Sequence, residues 1–301
     1  MSKNWRLSTW LFITALAVFL LSPALEAQQY FGRNKVQYKK FDFRIIKTKH
    51  FDVYYYPEFR GVAEESARLA ERWYARISRM LGHELKGRQP LILYSSSPHF
   101  QQTTVLSGLI GEGTGGVTES LKRRIILPVG SSPYETDHVI GHELVHAFQY
   151  DMTSEGGPGG GMNPALARVP LWFIEGLAEY LSIGSVDPHT AMWMRDASRR
   201  NFIPALKKMD NPYKYFPYRY GQALWSYITG RWGDETVSRL MKSVGRVGDL
   251  EAVATKVLGI SYEQLGKDWQ EAYKKAYEQV LPQTQLSVGQ IQVDGEEIPR
   301  G

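Results

Sequence analysis

From Phe41 to Pro57 the chain reads FDFRIIKTKHFDVYYYP, with apolar and polar positions alternating and β-branched and aromatic residues in excess. Period-two alternation predicts two strands with a turn near Lys47–His50. The period then changes. Within Ala63–Leu81, Ala67, Leu69, Ala70, Trp73, Ile77 and Leu81 recur at helical spacing, which predicts an amphipathic helix. PLILYSS (Pro90–Ser96) suits a short buried strand, and the glycines of Ser107–Gly116 mark a loop. GVTESLKRRIILPVG (Gly116–Gly130) suits a hairpin whose second arm is RIILPV. From Tyr134 onward nearly every periodic segment is helical: Glu135–Met152, Pro170–Ile183, His189–Arg199, Arg219–Arg231, Glu235–Val244 and Ser261–Val280. No internal repeat interrupts this order. The pattern predicts an α+β fold, a mixed N-terminal sheet with a packed helix followed by a mainly helical half.

Three segments stand apart from that pattern. Residues 1–27 open on a basic stretch (MSKNWR), continue with the twelve-residue run WLFITALAVFLL, break at Pro23 and end on Ala27. The run is shorter than the roughly 20 residues of a membrane span, and the order of parts fits a cleavable secretory signal. An uncleaved N-terminal anchor is the alternative, because Leu25 is larger than ideal before the cut. Either way the body of the protein is expected to be exported, to the periplasm or beyond, with no stable membrane span once the signal is removed. Ser154–Gly161 is glycine-rich but lacks the Gly-Lys-Ser/Thr ending of a phosphate-cradling loop, so it reads as a connector. The expected organisation is a signal peptide (1–27), a sheet-containing half (28–133), a helical half (134–281) and a linker-like tail (282–301).

Hydrophobic content of 43% and charged content of 22% are those of an ordinary globular chain and leave function open. The formal charge of +5 is spread over doublets such as Lys39-Lys40 and Arg123-Arg124, without the basic stripe that a nucleic-acid partner would require. The cysteine count of 0 is more restrictive. It excludes disulfides, thiolate metal ligands and a cysteine nucleophile together, so any metal must be held by histidine, carboxylate or both.

The stretch DHVIGHELVHAFQYD (Asp137–Asp151) holds three of the chain's seven histidines. On a helix, residues four apart share a face, so His142 and His146 can point two ring nitrogens at one spot. Glu143 lies about 100° around the helix from His142, near such a spot without competing for it. This is the His-Glu-x-x-His arrangement of zinc hydrolases. A catalytic zinc ion takes three protein ligands, and PLWFIEGLAEYLS offers the third: Glu175 and Glu179 lie four apart on an otherwise apolar helix. Two carboxylates there are costly to bury unless something positive sits opposite; the alternative is an exposed acidic edge. His138 is expected in the first turn of the helix, with no catalytic part.

HELVH, followed after 25 residues by WFIEGLAEY (28 residues separate His146 from Glu175), resembles the gluzincin metallopeptidases, the group containing thermolysin and aminopeptidase N. The nearest likeness is to exported bacterial peptidase-MA-like domains that precede a TolB-like β-propeller. It runs from about Phe41 to Leu281, and the tail from Pro282 is where a propeller would begin. The resemblance implies a zincin-like fold with the active site in a cleft between the two halves, and one zinc ion held by His142, His146 and Glu175. It implies that Glu179 orients a ligating histidine, and that Glu143 acts as general base on the zinc-bound water that attacks a peptide or protein substrate. It further implies an oxyanion donor among the tyrosines of YKYFPYRYGQALWSYI, Tyr220 first and Tyr218 second. An edge strand beginning at GTGGVTES would pair with the substrate backbone, and Gly116, Val117 and Glu119 resemble the Gly-x-x-Glu-Asn box that grips a substrate's amino terminus. Ser120 replaces the asparagine of that box, and Glu119 has the alternative role of capping a hairpin turn. The expected activity is therefore that of an exported zinc metallopeptidase. The competing readings are a catalytically silent zinc-fold module of the cell envelope, which the intact Glu143 argues against, and a metallohydrolase of non-peptide amides or esters.

Overall fold

The computed structural model of the chain describes residues 35–278 apart from 107, 109, 112, 131 and 154–163. The signal-like segment, the glycine-rich connector and the linker-like tail lie outside the described residues. Among those described, β1 (Arg44–Lys47) and β2 (Phe51–Tyr55) lead into α1 (Arg60–Leu81). Then follow β3 (Gln89–Tyr94), the one-turn α2 (Ser97–Phe100), β4 (Val117–Thr118) and β5 (Ile125–Pro128). The rest is helical: α3 (Pro133–Thr153), the one-turn α4 (Pro164–Ala167), α5 (Leu171–Ile183), α6 (Pro188–Arg199), α7 (Pro217–Trp232), α8 (Glu235–Val247), α9 (Leu250–Leu258) and α10 (Tyr262–Glu278).

The fold is α+β, with the sheet first and the helices after it. Strand order is β1-β2-β3-β5-β4; β2, β3 and β5 run parallel, while β1 and β4 pair antiparallel with their neighbours. Both expected hairpins are present. The four residues of β5 are all buried, which explains their uninterrupted apolar run. Their alternation feeds two cores. Ile125 and Leu127 join α1 and α3 in the main core, whereas Ile126 meets Tyr56, Tyr94 and Phe100 on the other face.

Helix α1 turns Ala63, Ala67, Ala70, Trp73, Ile77 and Leu81 inward and stops at Gly82, whose φ of +55° suits a residue without a Cβ. Helix α3 opens on a reciprocal cap in which Glu135 N donates to Ser132 Oγ and Ser132 N donates to Glu135 Oε2. It is buried without a break from Ile140 to Gln149. A helix enclosed on every side belongs to the core, and its polar side chains must find partners inside the protein.

Helices α5 and α7 approach at Gly176 and Gly221. A Cβ on Gly221 would lie 2.3 Å from Trp172 O and 2.7 Å from Gly176 Cα, so backbone packs on backbone there. Helix α9 is the element that hydrophobic periodicity passes over. Its Val253, Thr255 and Val257 are weak helix formers, and its ends carry the signal instead: Asp249 accepts from Ala252 N, and Gly259 follows at φ +74°.

The α5–α7 contact generates a prediction in which two effects oppose. Gly221→Ala gains up to about 1 kcal/mol of helix propensity, but forces a methyl into backbone and costs more than that gain. A net loss of about 2 kcal/mol is expected, to be measured by denaturant unfolding.

Candidate metal centre and active site

Helix α3 brings His142, Glu143 and His146 into the protein, and α5 crosses it with Glu175 and Glu179. His142 Nε2 lies 3.2 Å from His146 Nε2, and each lies 3.2 Å from Glu175 Oε2. Three donor atoms on two helices thus form an equal-sided triangle. A tetrahedral zinc ion with bonds of about 2.0–2.1 Å separates its ligands by about 3.3 Å, so the triangle has the dimensions of three corners of that polyhedron.

The proton inventory supports the same fit. Gln149 Nε2 donates to Ile174 O at 3.0 Å, which turns Gln149 Oε1 toward His146 Nδ1 at 2.8 Å. An amide oxygen only accepts, so His146 carries its proton on Nδ1 and presents the Nε2 lone pair to the triangle. His142 Nδ1 lies 3.0 Å from Glu179 Oε1 in an ion-pair contact, so the acid's charge favours a proton on that side of the ring. Two lone pairs and a carboxylate oxygen converge, with no donor among them. Such a point attracts positive charge. Burial alone would lower the His142 imidazole, but Glu175 and Glu179 beside it raise it to about 10, so the acids draw a proton, or a cation in its place, to that point. Burial alone would likewise raise the carboxyl groups of Glu175 and Glu179, yet the facing histidines hold both far below the usual carboxylate range. The donor set therefore fits a divalent cation such as zinc.

Around this triangle the structure sorts the other residues named from the sequence. Tyr218 stacks on His142, ring centroids 5.7 Å apart and planes 15° apart, with its hydroxyl in hydrogen-bonding reach of Glu175. Burial and then the Glu175 charge push its phenol well above the ordinary value, so it stays a donor. Tyr220, the first choice, points elsewhere: two residues on, it lies about 200° around α7 and packs edge-on against Trp193 and Tyr215 in the core. His138 stands on the second turn of α3, not the first, and its Nε2 lies 3.3 Å from Glu179 Oε1. It belongs to the support of the site and is no bystander.

The edge strand is β4, last in the sheet and alongside α3. Gly116 and Thr118 face Glu143, and Val117 packs on the minor core. Glu119 does not reach for a substrate. Its carboxylate accepts from Leu121 N at 3.0 Å, Lys122 N at 3.1 Å and Arg124 Nε at 2.7 Å, which closes the β4–β5 turn. For Glu119 the structure shows the capping alternative, because the acid is already engaged by the hairpin, while Gly116 lies against Glu143 and Val117 against the minor core.

Four contributors escape a reading of motifs. Gln149 orients His146, and Thr118 reaches Glu143 from the sheet. Tyr150 stacks near His146 with its phenol pushed up to about 12 by burial and by Glu175. Arg219 Nη1 lies 3.0 Å from Glu179 Oε2 and 3.2 Å from Asp187 Oδ2, tying α5 and α7 to the start of α6. Only Gln149 left a trace in the sequence, three residues beyond a ligand-spaced histidine on the same helical face.

Residues 120–269 match the model of a family described as "BSP: Peptidase of plants and bacteria". The matched segment contains the three corners of the triangle, Glu143, Glu179 and Tyr218, and the match supports a peptidase-like domain. No curated protein matches the chain.

The Glu119 network gives a pH-dependent expectation. Burial would raise this carboxyl, but Arg124 and the turn's backbone N–H groups hold it below its ordinary value of 4.5. A depressed folded pKa adds stability above the ordinary value and loses it as pH falls through the depressed one. Glu119→Gln is expected to lower the unfolding free energy by roughly 1 kcal/mol at neutral pH. The gap should close in strong acid, as urea titrations of both proteins at the two pH values would read.

Proposed function

We propose that the chain is an exported zinc metallopeptidase of gluzincin type, with one ion held by His142, His146 and Glu175. The observation that carries this reading is the donor-free triangle of two imidazole nitrogens and a carboxylate oxygen, beside which Glu143 stands on the same helix. A zinc ion bound there supplies Lewis acidity to a water and to the scissile carbonyl.

The chain's own residues do the rest. Glu143 accepts the proton of the attacking water and returns it to the leaving amine. Glu179 and Gln149 keep the Nδ1 protons of His142 and His146 in place, so neither ring turns or swaps tautomer. Tyr218, protonated and stacked on His142, supplies the donor for the developing oxyanion, in place of Tyr220. The outer edge of β4, unpaired among the described strands, suits an extended peptide that adds as a further strand. The basic start, apolar run and small-residue ending of residues 1–27 support export to the periplasm or beyond. Among the described residues no helix is long and apolar enough to cross a membrane.

Two measurements test the reading together. Metal analysis is expected to find one zinc per chain, lost in His142→Ala and Glu175→Gln. A peptide-library digest is expected to show cleavage that drops by about 100- to 10,000-fold in Glu143→Ala, with zinc retained. Retained zinc without Glu143-dependent cleavage of peptides, esters or amides would leave a silent zinc-fold module. Cleavage of esters or amides but no peptide would leave a non-peptide hydrolase.

A further inference from the structure

The segment GVT at the sheet edge makes two contacts with Glu143 that neither a substrate grip nor a hairpin needs. Gly116 and Thr118 are two residues apart on an extended path, hence on one face. A Cβ on Gly116 would lie 2.9 Å from Glu143 Cγ and 3.1 Å from Glu143 Oε1. Thr118 Oγ1 lies 2.7 Å from Glu143 Oε2 and 2.8 Å from the Glu143 carbonyl oxygen. Both side chains are buried, at 7% and 6% exposure, so water does not replace this contact freely. A threonine hydroxyl has one proton to give, and a carboxylate is a stronger acceptor than a helix carbonyl. Among the described residues no other donor reaches the Glu143 carboxylate.

We propose that Gly116 and Thr118 form a cradle that positions Glu143. Thr118 fastens Oε2, the bare backbone of Gly116 admits the side-chain stem, and Oε1 is left as the oxygen that exchanges protons. The inference rests on Glu143 as the base under Proposed function, and it assigns Thr118 as a positioning residue whose hydroxyl acts through Glu143. It also gives the glycine a reason independent of turn geometry: any side chain at 116 would occupy the space of the acid. Loss of the fastening frees a three-torsion side chain at the point where displacement by about 1 Å can cost about 100-fold in rate.

Thr118→Val keeps the shape and removes the donor; Thr118→Ala removes it without any risk of crowding; Thr118→Ser restores it. The expected result is unchanged zinc content, KM within about twofold, and kcat lower by roughly 10- to 100-fold in the Val and Ala variants. Thr118→Ser should return to within a few-fold of wild type. Crystal structures of the variants should show the Glu143 carboxylate turned away in Val and Ala and held in Ser. Full kcat in Val and Ala, an equal loss in Ser, or loss of zinc in any of them would overturn the proposal. If wild type shows no Glu143-dependent cleavage, the peptidase reading fails separately. The crystal structures then decide the cradle alone, and an unmoved Glu143 in Val and Ala overturns it.

Discussion

Helices α5 and α7 touch backbone to backbone at Gly176 and Gly221, and the placement of Glu175, Glu179, Tyr218 and Arg219 follows from that contact. Glu175 precedes the first glycine by one residue and Glu179 follows it by three, so the depth of the crossing sets how far both acids reach toward α3. Tyr218 and Arg219 precede the second glycine within a turn, and the same contact aims them back at His142 and Glu179. A wider crossing, with side chains at either position, would withdraw one corner of the triangle and the clamp behind it. The apolar packing of two helices thereby fixes distances that electrostatics alone could not hold, since buried like-charged acids repel and their attraction to imidazole is not directional.

Within that frame the polar groups are arranged so that protons lie outside and acceptors lie inside. Gln149 and Glu179 take the outward-facing Nδ1 positions, and Arg219 and His138 share the charge of Glu179. Each layer compensates the burial of the one before it. The sequence of compensations ends at Asp187, which caps α6 through Thr190 N at 2.6 Å while pairing with Arg219. The site is therefore braced by four helices, of which only α3 and α5 supply corners of the triangle.

The two pairs that build the site were legible in the chain because their spacing is local, whereas the choice of Glu175 over Glu179 as the third corner rested on the resemblance to gluzincins. His142 and His146 are four apart, as are Glu175 and Glu179, and helical spacing alone brings each pair to one face. The sheet was legible for the same reason, through alternation in β1 and β2 and the uninterrupted apolar run of β5. What could not be read depends on contacts across the fold. Thr118 to Glu143 and Arg219 to Glu179 join residues that no period connects. The choice between Tyr218 and Tyr220 lies between these cases. Pro217, Tyr220, Gly221, Leu224, Trp225 and Ile228 form a stripe at helical spacing that is buried in the structure, and Tyr218 stands off it. Weighing the phase of α7, instead of the position of a tyrosine before Gly-Gln-Ala, points to the ring that stacks on His142. Glu119 illustrates the opposite failure, since a motif-like spacing was matched by an acid that the turn had already engaged.

The β4–β5 hairpin is fastened to α3 at two places. Thr118 holds Glu143, and at the tip Arg123, one of two non-glycine residues with positive φ among those described, pairs with Asp151. Asp151 is held in turn by His83 at 2.7 Å. The two fastenings lie eight residues apart on α3, about 12 Å along its axis. The hairpin thus behaves less as the rim of a sheet than as a rail bolted along a helix. On the proposed peptidase reading, a peptide laid against its outer edge would take its register from the helix that carries Glu143, and the bond cleaved would be set by counting residues along that rail.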